Sequence, residues 1–89
     1  MNEDGFMARM EKEGRELEAR LTKLNDFLTF VNAKNPVDRK EFFKQNDIDA
    51  GDLDLMQAQA SAMETYAKIL LIRINIARIK RQLPTIGQF

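Results

Sequence analysis

Cysteine, histidine and tryptophan are all missing from these 89 residues. Without cysteine there is no disulfide framework and no thiolate nucleophile. Without histidine or cysteine, the ordinary ligand sets for zinc, copper and haem cannot be assembled. The lack of histidine also removes the Ser-His-Asp triad and the imidazole general base. Glycine is sparse, and nothing resembles a Gly-rich phosphate loop. No long hydrophobic run exists either. The most apolar stretch, Tyr66 to Ile79, is broken by Lys68, Arg73 and Arg78 and is too short to span a bilayer. The opening MNEDGFMARMEKEG is acidic and polar, unlike a signal peptide. These absences point to a small cytoplasmic protein that is not an enzyme, with no cofactor, no metal and no membrane partner.

Charge is balanced overall, with 14 basic and 14 acidic side chains. A zero net charge gives no general attraction to nucleic acid. The distribution is uneven. Residues 47–64 hold Asp47, Asp49, Asp52, Asp54 and Glu64 without a Lys or Arg, whereas residues 65–89 hold Lys68, Arg73, Arg78, Lys80 and Arg81 without an acid. Such blocks suit contact between chains or the binding of an anion.

Hydrophobic spacing predicts two long helices. In residues 6–33, Met7, Met10, Gly14, Leu17, Leu21, Leu24, Leu28 and Val31 follow a 3-4 repeat. Glu11–Arg15 and Glu16–Arg20 pairs support that helix at i,i+4. Asn35-Pro36 ends it and opens a short helix over 36–45, with Asn35 as cap and Pro36 at the first position. The last helix is predicted over 53–83, where Met56, Ala60, Met63, Ala67, Leu70, Ile74 and Ala77 make one seam. Ile69, Ile72, Ile76, Ile79 and Leu83 make a second, displaced by about 200° around the helix. One seam packs on the first helix. The second lacks a partner within so short a chain. The expected fold is therefore all-α: an antiparallel helical hairpin over residues 1–83, assembled into a homo-oligomeric bundle, with a tail at 84–89. A two-helix core is small for independent stability, which argues for the same assembly. Gly14 and the seam alanines suggest close helix approach.

The acidic segment DIDAGDLD imitates a calcium loop but fails its pattern. Counted from Asp47, the fifth, sixth and twelfth positions are Gly51, Asp52 and Ala58. Helix capping by Asp49 or Asp52 is the better reading. The same acids would be repelled by DNA phosphates, which excludes a helix-turn-helix reader beginning there. Arg73, flanked by Ile72 and Ile74, needs either a carboxylate such as Glu16, Glu18 or Asp26, or a phosphate. Tyr66, the sole tyrosine, suits either the core or a stacked base.

Two stretches together carry a resemblance: ELEARLTKLNDFL at Glu16 to Leu28, and LMQAQASAMETYAKILLIRI at Leu55 to Ile74. Within them stand Leu21, Lys23, Leu24, Phe27 and Leu28, then Gln59, Met63, Tyr66, Leu70, Arg73 and Ile74. This resembles a family of small bacteriophage helical-hairpin proteins, related to the hairpin domain of sponges that sequester cyclic-nucleotide signals of the CBASS and Thoeris immune systems. The resemblance implies an oligomer that holds a cyclic di- or trinucleotide between hairpins in the host cytoplasm, without cleaving it. Its expected ligand contacts are Arg73, Arg78 and Lys23 on phosphates, Tyr66 in stacking or bracing, and Gln59. Its expected assembly surface is Ile69, Ile72, Ile76, Ile79 and Leu83. The alternative is a coiled-coil assembly or protein-interaction module with no small ligand.

Overall fold

A computed structural model describes the chain from Glu3 to Phe89, with side chains from Gly5 onward; Met1 and Asn2 lie outside the described residues. Three helices follow one another: α1 (Glu3–Asn32), α2 (Pro36–Asn46) and α3 (Ala50–Lys80). Among the described residues there is no strand. Helices α1 and α3 form a hairpin in a body of 56 × 23 × 15 Å.

The two predicted seams of the hairpin meet. Met10 and Leu17 of α1 pack with Ala67, Leu70 and Ile74 of α3. Leu21, Leu28 and Val31 pack with Leu53 and Ala60 toward the connection. Val31 and Ile74 are fully enclosed. Burying a side chain of that size stabilises the fold by about 1.5–3 kcal/mol.

The connection is set by its caps. Asn35 is extended, as a residue before proline must be, and its side chain accepts a hydrogen bond from the Asp38 backbone N–H at 2.8 Å. Arg39, unremarked in the sequence, donates to the carbonyls of Val31 (3.4 Å), Asn32 (3.0 Å) and Lys34 (2.9 Å) at the end of α1; Val31 O also accepts from the Lys34 N–H. Phe42 packs its ring near Phe27 and Phe30, at centroid distances of 6.1 and 5.8 Å. Lys34 lies 4.3 Å above the Phe30 ring.

Helix α3 starts earlier than its hydrophobic pattern, because Asp49 caps it. The Asp49 side chain accepts from the Asp52 N–H at 3.0 Å, and the Asp52 carboxylate accepts from the Asp49 N–H at 2.9 Å. The helix also stops earlier than predicted. Gln82 takes a left-handed conformation at φ 59°. The Gln82 N–H then bonds to Ile79 O, and the Leu83 N–H to Arg78 O. This Schellman closure carries Leu83 off the helix. The outward seam is thus four isoleucines long, not five residues.

The tail folds back instead of trailing away. The Asn75 side chain donates to Ile86 O and accepts from the Ile86 N–H, both at 2.8 Å. Ile86 and Phe89 pack on the core around Leu70. The Phe89 ring lies over Gly14, where a Cβ would fall far inside van der Waals contact. Gly14 therefore admits the tail; the closest neighbours of its α-carbon are not the small residues of α3. The apolar residues of the tail TIGQF already suggest docking; the lone asparagine in an isoleucine-rich helix marks where the clamp closes.

Asp49→Ala should lower unfolding stability by about 1 kcal/mol in denaturant titration, the usual loss for a cap. Gly14→Ala removes a glycine worth about 1 kcal/mol from a helix interior yet expels Phe89. The expected result is loss of hydrogen-exchange protection at the Ile86 amide while the hairpin amides stay protected.

Candidate functional site

Helix α3 presents three longitudinal strips. One is the core. Opposite it, Ile69, Ile72, Ile76 and Ile79 are 42–61% exposed. Scattered surface leucines need no explanation, but four isoleucines in one helical row are a contiguous apolar ridge. The i, i+3, i+7, i+10 spacing places them on one face by geometry alone.

Tyr66 and Arg73 run along one flank of this ridge. Tyr66 is neither core nor free: it is 40% exposed, and its hydroxyl donates to Glu13 Oε1 at 2.5 Å. The hydrogen bond to the Glu13 carboxylate holds the phenol above its ordinary pKa of 10.0, with desolvation and the Glu13 charge acting in the same direction and Arg73 opposing them. The carboxylates considered for Arg73 do not take it. Glu16 lies 4.0 Å from Lys12 and 3.9 Å from Arg20. Among the described residues Arg73 forms no ion pair or hydrogen bond. With Phe6, Met10, Ile76, Ala77 and Lys80 it lines an open hollow of about 350 Å³.

Arg78 is placed differently. It lies toward the other flank and bonds Glu11 Oε1 at 3.3 Å, so Glu11 serves it and not Arg15. Its Nε–H donates to Pro84 O. This pair is only about a quarter exposed and fastens the tail to the hairpin. Lys23 follows Leu21 in the core cluster nearest the connection, and Gln59 precedes Ala60 there. Both are exposed. Arg73 instead adjoins Ile74 of the other cluster. The structure thus groups Tyr66, Arg73 and the isoleucines, keeps Gln59 on the Tyr66 flank of α3 two turns nearer the connection, and separates Lys23 and Arg78 from them. Spacing within α1 assigned Glu11 to Arg15 and gave no sign of Glu13, because an acid among 14 is unremarkable until the hairpin register brings it to its partner.

Among the described residues no helix is long and apolar enough to cross a membrane, and no group of three or more acids is placed to hold a metal ion. What remains is an all-α hairpin whose outward surface combines an apolar ridge with an uncommitted cation. A family model described as Sequestin matches residues 4–76, covering α1 from its first turn, all of α2 and most of α3. The chain belongs to that family, whose name denotes sequestration, and the match agrees with the resemblance carried by Tyr66, Arg73 and Ile74. No curated protein and no solved structure matches the chain.

Because Tyr66 is the sole tyrosine and tryptophan is absent, its ionisation can be followed by ultraviolet absorbance. The phenol should deprotonate above pH 10, and Glu13→Ala should bring the midpoint down toward the ordinary value. The folded-state value is raised, so the bond's contribution to stability is present below the unfolded value and is lost as pH rises through the folded one. A wild-type midpoint at or below 10 contradicts the Glu13 contact.

Proposed function

We propose that the protein binds a cyclic nucleotide second messenger and sequesters it intact, as a homo-oligomer joined through the isoleucine ridge. The carrying observation is Arg73: a guanidinium that meets no counter-ion among the described residues, adjacent to the ridge, in a chain of the Sequestin family. An uncompensated arginine beside a surface destined for burial needs an anion, and a phosphodiester offers bidentate acceptor geometry. Closure of a symmetric interface brings one Arg73 from each copy, matching the repeated charges of a cyclic oligonucleotide. Tyr66, held by Glu13, braces the flank. Arg78 acts one step removed, by fixing the tail; Lys23 and Gln59 contact ligand only if a neighbouring hairpin brings them to it. Sequestration needs no group to cleave the ligand, and the host cytoplasm is the compartment where such signals circulate.

A ligand bound only by the folded state raises its melting temperature. In a thermal-shift panel of cyclic di- and trinucleotides, at least one should stabilise the protein and be recovered intact after heat denaturation. Arg73→Ala should weaken that ligand at least tenfold, whereas Lys12→Ala leaves it unchanged. Ile76→Asp should dissociate the oligomer in light scattering, since a charge at the ridge must be desolvated there. An oligomer that takes up none of the panel supports the apolar assembly module instead. A monomer that takes up none defeats both readings.

A further inference from the structure

The hollow under Arg73 has features that a merely apolar contact surface does not need. Its lining combines apolar Met10, Ile76 and Ala77 with the cations Arg73 and Lys80. Phe6, from the second turn of α1, stands over it with half of its surface exposed. A second hollow, of about 280 Å³, shares Phe6, Ala77 and Lys80 with the first and adds Arg81. Among the described residues no acidic side chain lines either one. Such an arrangement offers a flat aromatic face, an apolar bed and positive charge at the edge.

We infer that this hollow is the subsite for one nucleotide unit of the ligand, with a base stacked on Phe6 and its phosphate held by Arg73 and Lys80. The inference rests on the sequestration reading for the identity of the ligand and on the geometry for the place. A volume of about 350 Å³ lies at the lower end of small-molecule sites. It admits one base with its phosphate and leaves the rest of a cyclic oligonucleotide outside. Ile76 belongs to both hollow and ridge. A second copy seated on the ridge therefore also closes the hollow, and ligand and assembly promote each other. Tyr66 is the less suitable platform, because its hydroxyl is tied to Glu13. Base stacking on an aromatic face tolerates different bases, so Phe6 contributes affinity while the selection of base lies elsewhere.

The test uses adenosine monophosphate as probe and the methyl signals of isoleucine and methionine in the full chain. Titration should shift Ile76 and Met10 through the ring current of the base and leave Ile48, near the connection, unmoved. Phe6→Leu should weaken the probe by roughly tenfold, and Phe6→Trp should restore it. Inorganic phosphate alone should give no ring-current shift. Unmoved Ile76 and Met10 signals, or a Phe6→Leu variant with wild-type affinity, overturn the subsite. If a cyclic dinucleotide stabilises wild type and Phe6→Leu equally, the subsite fails and sequestration stands. If the monophosphate binds in a Phe6-dependent way but no cyclic oligonucleotide binds, the subsite stands and sequestration fails.

Discussion

One helix with two apolar faces and only one partner helix is the constraint on which this molecule turns. Leu70 and Ile74 of α3 are enclosed against α1, while Ile72 and Ile79, on the reverse of the same helix, remain more than half exposed. A helix apolar on both sides is ordinarily buried all round. Among the described residues there is no third long element to supply that burial. Helix α2 contributes no buried residue of its own and packs Phe42 and Phe43 at the connection end. The isoleucine row is left as the surface on which any further association must build.

The remaining structure keeps that surface clear. The tail supplies Ile86 and Phe89 to the core on the flank away from Arg73, and it is held there by Asn75, Arg78 and the notch at Gly14. At the opposite end, Arg39 satisfies the last carbonyls of α1 and Asp49 caps α3. Both devices stabilise the hairpin by hydrogen bonds that lie off the ridge. Arg78 and Arg73 show the consequence. They lie on the same helix and carry the same charge. One is committed to Glu11 and a tail carbonyl, and the other meets no ion-pair partner among the described residues and stands beside the ridge. Their different roles come from the helical angle between them, since five residues of α3 amount to more than a full turn.

Much of this architecture was legible beforehand because helical periodicity is a local property. The 3-4 spacing of Met10, Leu17, Leu21 and Leu28 announces a buried face whatever it packs against, and Asn35-Pro36 and Asp49 announce caps through chemistry confined to one turn. The two apolar seams of α3 follow from the same arithmetic. Leu83 marks where that arithmetic ended: its spacing suits the ridge, but the left-handed backbone at Gln82 closes the helix first. That turn depends on the tail having somewhere to go.

The residues that depend on register belonged to the tertiary structure. Which acid meets Tyr66, which takes Arg78 and which leaves Arg73 alone is set by how α1 slides along α3, and spacing within one helix carries no information about that slide. Glycine at position 14 read as room for a neighbouring helix, and only the folded chain assigns the space to Phe89. Phe6 likewise gained meaning only when α1 brought it over Ile76 and Lys80, near the far end of the chain. By itself the sequence determined the helices, their caps and the existence of a second apolar face. The tertiary structure decided which charges are paired and where an aromatic ring, apolar side chains and two cations converge, because those are contacts between segments distant in the chain.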